Sequence, residues 1–305
     1  MKTPILLLVY IKPNTTKKII KVLKRVNAKK IYISINIPHR RDEKNFLNNS
    51  KVKKIIKSID WKCRIIKKER KIHLDSYNSY RLAIKWFFRN EKEGIILEDD
   101  TLPNITFFEF CTKLLEKYRK NKKISQICGS SFLNEKIKGP NYKFSNYCFC
   151  WGYATWRRSI KDFDSTFKKW KIIKKKNKLK RILNDKSFIS YWTDIFDALA
   201  EKKITAWDYT WMLSNWEKGK ISIIPKKNLI QNIGFVKEAT HTKIKYKDWY
   251  TKIKPYNMQY MDIHPKVIRP DLNYDKWISN KVYKTNKHYI KNLIKKYLNY
   301  DFQIN

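Results

Sequence analysis

Residues 4 to 10, PILLLVY, are a nearly unbroken apolar run, the pattern of a strand buried on both faces of a parallel sheet. PNTTKKIIKVLKRV follows, with Pro and Thr at a helix start and Ile19, Ile20, Leu23 and Val26 at helical spacing. KKIYISINIP predicts a second strand, DEKNFLNNSKVKKIIKSI a second helix and WKCRIIKKE a third strand. In SYNSYRLAIKWFFRN, Tyr80, Ile84, Phe87 and Phe88 fall along one side of a third helix, and GIILEDD closes as a fourth strand. This alternation predicts βαβ units: an α/β protein with a mostly parallel central sheet flanked by helices.

Beyond residue 124 the pattern changes. ISQICGSSF reads as a strand, NYCFCWGYATWRRSIKDFD is dense in aromatics around one glycine, and SYWTDIFDALAEKK reads as a helix. WDYTW predicts a compact acidic-aromatic turn ahead of a strand in KISIIP. After ATHT, residues 239 to 242, the chain becomes a basic, aromatic tail whose Ile290, Leu293, Ile294 and Tyr297 recur at helical spacing.

Charge then narrows the field. The chain carries 69 Lys and Arg against 27 Asp and Glu, a net +42. Such a surface attracts nucleic acid, anionic lipid or phosphorylated substrates. The excess is spread along the chain, which fits a generally lysine-rich surface as well as a dedicated patch. Residues 169 to 183, KWKIIKKKNKLKRIL, interleave cations with Trp170, Ile172, Ile173, Leu179 and Ile182; they suit an anionic membrane surface or a solvated helix face. Five cysteines, odd in number and without Cys-x-x-Cys spacing, point to reduced thiols in a cytoplasmic protein. No stretch approaches the roughly 18 apolar residues of a spanning helix, so the expectation is a soluble chain, at most peripheral at the inner face of a membrane.

Against this background Glu98-Asp99-Asp100 stand out. Three scarce acids meet at the end of a strand, where open α/β sheets bind ligands. A divalent metal or a neighbouring lysine can balance them, and a solvated turn cap before LPN is the plainer alternative. Mg²⁺ or Mn²⁺ takes hard oxygen ligands, typically one or two carboxylates with substrate phosphates.

ILEDDTLPNITFFEF resembles the Glu-Asp-Asp form of the metal-binding motif in nucleotide-sugar transferases of the GT-A fold, in particular bacterial relatives of the N-acetylglucosaminyltransferase I type. WGYATWRRSIKDFD is similar to an aromatic loop of those enzymes, and AWDYTWMLSNWEKGKISIIPKKNLIQNIGFVKEATHT to their segment bearing a catalytic Asp and a late His. The likeness spans residues 4 to 242. It implies a GT-A domain over 1–242, with a nucleotide-binding half at 1–123 and an acceptor half at 124–242, and a basic extension over 243–305. It implies Mn²⁺ or Mg²⁺ at Asp100 with His241 nearby, and Glu98 and Asp99 on the donor or supporting the metal. Asp208 becomes the general base, with inversion at the anomeric carbon. Trp151, Gly152 and Trp156 line a sugar in this reading, with core packing as the alternative, and Arg81 faces the donor phosphates. The partners implied are a nucleotide-sugar donor, such as a UDP-sugar, and a glycan, lipid-linked or protein acceptor.

Two positions depart from the family pattern. Lys12-Pro13 stands where Arg-Pro is usual, keeping charge but losing the planar fork. Asn36 replaces an Asp that meets the base, although an amide can still pair with a pyrimidine edge. Both leave the nucleotide less fixed than the chemistry. A nucleic-acid-binding protein, or a catalytically degenerate transferase acting as a scaffold, remain the alternatives; the ordered carboxylate and aromatic motifs have no part in nucleic-acid binding.

Overall fold

The computed structural model describes residues 1–39, 41–133, 139–164, 166–234, 252–258 and 263–301, the last with side chains to residue 293. The expected alternation is present: β1 (Ile5–Val9), α1 (Pro13–Arg25), β2 (Lys30–Ile35), α2 (Glu43–Lys57), β3 (Arg64–Glu69), α3 (Ser76–Asn90) and β4 (Glu93–Glu98). Then come β5 (Thr101–Pro103), α4 (Ile105–Lys117), β6 (Ile124–Cys128), β7 (Tyr142–Ser145), β8 (Tyr153–Trp156) and the short α5 (Arg157–Ile160) and α6 (Trp170–Lys175). The chain continues through α7 (Lys186–Ala200), α8 (Trp207–Glu217), β9 (Ile221–Pro225), β10 (Ile230–Asn232), α9 (Leu272–Lys281) and α10 (Thr285–Asp301).

Four of the 27 acids start helices. Asp42, Asp75, Asp185 and Asp271 each accept a backbone N–H in the first turn of α2, α3, α7 and α9, relieving donors that the helix leaves unpaired. Asn104 does the same for α4, while Pro13, which has no N–H to leave unpaired, opens α1.

The main sheet has the order β3-β2-β1-β4-β8-β6-β9-β7. β3, β2, β1 and β4 are parallel neighbours, and β6 and β9 also pair in parallel. β8 runs antiparallel between β4 and β6, and β7 antiparallel at the edge beside β9. Alternate side chains go to opposite faces. Ile5, Leu7, Val9, Ile95 and Leu97 pack with apolar residues of α1, α2 and α4, while Leu6 and Ile96 pack with those of α3, α7, α8 and α9. Tyr274 and Ile278 of α9 are buried in that second layer, so the basic tail contributes to the core.

Two segments differ from expectation. WDYTW is not a turn: it begins the helix α8. The basic segment 169–183 turns its apolar side inward. Trp170, Ile173 and Leu179 are buried, Trp170 Nε1 donates to Asp197 of α7, and only Ile172 of the five apolar residues is exposed. The face proposed to lie on a membrane is already used by the core.

Candidate functional site

The register Leu8 to Glu98 sets the carboxyl ends of β1 and β4 side by side. The chain leaves β4 through a tight turn in which Thr101 Oγ1 donates to the Glu98 carbonyl and accepts from the Glu98 N–H, at 3.1 and 2.9 Å. The three acids therefore point from one turn in different directions. Asp99 turns in, 6 % exposed, and its Oδ2 accepts the Tyr10 N–H at 2.9 Å, tying the exits of β1 and β4 together. Asp100 turns toward the loop between β1 and α1, where Lys12 Nζ donates to its Oδ2 at 2.5 Å. Glu98 is half-buried.

The short ribbon of β10 on β5 closes over this turn. Ile233 N–H donates to the Asp100 carbonyl at 2.8 Å, and a β-carbon on Gly234 would stand 2.2 Å from Asp100 Oδ2. A larger residue here would displace the Asp100 carboxylate, so Gly234 leaves room for it.

Asp208 arrives from the other half of the chain, in the first turn of α8. Burial raises its carboxyl to about 6, against the pull of the Tyr209 and Asp208 backbone N–H groups. Its charge reaches Glu98, which is raised first by burial, then by Asp100 and Asp99. Asp99 is raised by burial and by Asp100. For Lys12, burial works to lower the ammonium, but the charges of Asp100 and Asp99 outweigh it and the pKa rises. Within a strongly basic protein this corner is short of positive charge.

Aromatic side chains line the space beside these acids. Trp207 stacks on Tyr80 with centroids 3.5 Å apart, and Tyr80 and Tyr153 share a hydroxyl–hydroxyl hydrogen bond of 2.7 Å. Burial raises both phenols, with a smaller contribution from the charge of Glu98. Nothing in the sequence singles out Tyr80, because on α3 it reads as one more apolar-face residue.

The other expected site residues fall as follows. Gly152, at φ +61°, accepts the Gly129 N–H at 2.8 Å, and a β-carbon here would run into Ile230, so close packing accounts for this glycine. Trp151 is half-buried against Phe132, whereas Trp156 is core, its Nε1 donating to the Leu115 carbonyl at 3.1 Å. Asn36 has its amide engaged with Leu74: Nδ2 donates to the carbonyl at 2.8 Å and Oδ1 accepts the N–H at 3.3 Å. A nucleotide base would have to compete with that clamp. Arg81 lines a cavity with Lys85, Arg89, Arg157 and Lys161, which none of Lys12, Glu98, Asp99, Asp100 and Asp208 lines. His241 lies outside the described residues.

A divalent ion fits the donor chemistry of this corner, though not as a finished cage. Among the described residues no group of three or more His, Cys, Asp or Glu is arranged to hold a metal. Asp100, with Glu98 beside it, offers hard oxygens of the kind Mg²⁺ or Mn²⁺ shares with a ligand's phosphates. The Lys12 ammonium is the cation in contact with Asp100, and an incoming ion would have to share that carboxylate with it.

No family model matches this chain, and no curated protein matches it. Among solved structures it is similar to 4-diphosphocytidyl-2C-methyl-D-erythritol synthase from Anaerococcus prevotii DSM 20548, at 8 % identity and TM-score 0.38 over 72 % of this chain and 87 % of that one. An apo UDP-glucose pyrophosphorylase matches at 9 % identity and TM-score 0.37, over 76 % of this chain and 93 % of its own. A candidate nucleotide-diphospho-sugar transferase from Desulfovibrio desulfuricans G20 matches at 12 % identity and TM-score 0.30, over 54 % and 68 %. Likeness this loose assigns no activity.

Proposed function

We propose that the chain transfers a sugar from a nucleotide-diphosphate donor, with the carboxyl edge of β1 and β4 as the donor site. The observation that carries this reading is the convergence of Lys12, Glu98, Asp99 and Asp100 with Asp208, residues from three separate parts of the chain, at one strand edge. In this reading Lys12 exchanges Asp100 for a donor phosphate. A divalent ion at Asp100 would neutralise charge growing on the leaving nucleoside diphosphate. Asp99, held by the Tyr10 N–H, keeps the turn in place, and Glu98 meets the donor's sugar or ribose.

Asp208 takes the proton from an acceptor hydroxyl as that oxygen bonds to the anomeric carbon and the bond to the diphosphate breaks. With its carboxyl raised to about 6, Asp208 is ionised at neutral pH yet more basic than an ordinary aspartate. Attack opposite the leaving group inverts the carbon.

Calorimetric titration of UDP and a panel of nucleotide sugars, with and without Mn²⁺, tests the donor site on the native chain and on Asp100→Ala. Metal-dependent binding that the variant loses, with nucleoside diphosphate released on turnover, supports the reading. Undiminished binding by Asp100→Ala overturns the assignment of Asp100, and release of pyrophosphate would identify nucleotidyl transfer instead.

A further inference from the structure

Arg81, Lys85 and Arg89 stand four residues apart along α3, so their side chains rise from one face of the helix. Like charges at this spacing destabilise a helix. Arg157 and Lys161, at the start and just past the end of α5, face them across a cavity of 540 Å³. That size falls within the roughly 300–1,000 Å³ of ordinary ligand pockets. Ile84, Phe88, Ile160 and Phe163 complete the lining, so five cations surround an apolar patch and no acid lines it.

Some surface cations of this protein do meet acids, as Lys24 meets Asp60 and Arg119 meets Glu93. Here, among the described residues, none of the five cations is in an ion pair. The nearby acids are engaged elsewhere: Asp162 with Lys220, and Asp164 with Thr166 and the Lys169 N–H. Two of the guanidiniums are also held in place. Arg157 Nε donates to the Glu91 carbonyl at 3.0 Å, and Arg81 Nη2 donates to Asn78 at 3.2 Å. The cavity lies away from the donor corner. Trp156, the residue before Arg157, pairs with Glu93 at the opposite end of β4 from Glu98, about 17 Å along a six-residue strand.

We propose that this cavity is a second binding site, for a phosphate-headed amphiphile: a mono- or diphosphate held by the five cations, with an attached apolar group against Phe88, Ile84, Ile160 and Phe163. A guanidinium fork matches phosphate oxygens, lysines add point charge, and the apolar patch favours a ligand whose tail is not charged. The inference does not depend on the donor site, and Arg81 belongs to this cavity.

Farnesyl diphosphate, inorganic pyrophosphate and vesicles containing 30 mol % phosphatidylglycerol serve as probes of the full chain. Lys85→Glu/Arg89→Glu/Lys161→Glu is compared with Lys21→Glu/Lys51→Glu/Lys54→Glu, which removes the same charge from exposed positions of α1 and α2. The cavity variant is expected to bind farnesyl diphosphate at least tenfold more weakly, with the control within twofold of the native chain and pyrophosphate well below farnesyl diphosphate. Vesicle binding lost only in the cavity variant identifies a bilayer lipid as the source. Vesicle binding equal in all three proteins, with farnesyl diphosphate binding still lost in the cavity variant, identifies a dispersed ligand. Equal losses in both variants would assign the binding to net charge and overturn the site, as would undiminished farnesyl diphosphate binding in the cavity variant. Pyrophosphate binding as tight as farnesyl diphosphate would overturn the amphiphile. Matching melting curves for the two variants exclude a folding defect.

Discussion

Asp208 and Asp275 occupy matching places, each an acid in the first turn of a helix, and burial raises each carboxyl to about 6. Their surroundings differ. Asp275 is 6 % exposed and its oxygens are taken: Oδ1 accepts the Ser145 hydroxyl, and Oδ2 accepts the Asn146 N–H at 3.1 Å and its Nδ2 at 2.9 Å. Asp208 is half-buried, and among the described residues no side chain donates to it. A raised pKa alone therefore does not identify a functional carboxylate. What separates the two is whether oxygen lone pairs are left for a ligand, and only Asp208 lies within electrostatic reach of Glu98.

The largest effect expected from this comparison is on turnover. Asp208→Asn keeps shape and volume but cannot accept a proton, and positioned general bases contribute about 10²–10⁴ in rate. Sugar transfer by this variant, assayed with the donor identified by titration, is expected to fall by that factor while donor affinity stays within a few fold. Asp275→Asn is expected to keep the native rate per folded molecule. Comparable losses in both variants would break the contrast.

The same pair of substitutions should move stability by different amounts. At neutral pH Asp208→Asn removes a charge that burial disfavours by about 3 kcal/mol, so its chemical-denaturation midpoint is expected to rise. In Asp275→Asn the new amide must point N–H groups toward Ser145 Oγ or toward the two donors of Asn146, and a buried hydrogen bond lost this way costs about 1–3 kcal/mol. The relief of charge common to both variants is offset there, so a midpoint below that of Asp208→Asn is expected. A fall in both variants would show that Asp208 is also a structural anchor.

This contrast marks how far the sequence could be read. The parallel half was legible because its signals are local: apolar runs for β1, β2 and β4, and Pro and Thr at the start of α1. The acidic triplet was legible for the same reason. α8 was missed because Thr210 through Trp216 are all buried, so the helix has no polar stripe to betray its period. The insertion of β8 between β4 and β6, the pairing of Lys12 with Asp100 and the stack of Trp207 on Tyr80 join residues far apart in the chain, and no local pattern encodes them. Trp156 shows the converse difficulty, since a core tryptophan and a sugar-stacking one look alike until packing is known.

The smallest effect concerns pH. In the unfolded chain both carboxyls return to the ordinary 3.8, so the folded state holds their protons more tightly. The stability each contributes is fully present below about 4 and is lost as pH rises through about 6, the two ends of the shift. From pH 7 to pH 5 each group should add about 1.4 kcal/mol to the unfolding free energy. Other raised carboxyls add to the slope in every variant, Glu98 somewhat less in Asp208→Asn because it loses that neighbouring charge, so the share of one group is read as a difference. Asp208→Asn and Asp275→Asn should each lose one such share when denaturation is compared at the two pH values, and a variant with the native slope would remove its carboxyl from the account. Activity should run the other way over the same interval. Asp208 takes up the proton that prevents it from acting as a base, so kcat/KM should fall about tenfold from pH 7 to pH 5. Asp275 makes no such demand, because its oxygens already serve the protein. If the rate fell but Asp208→Asn kept the native stability slope, the group that titrates in catalysis would have to be another member of the acidic corner.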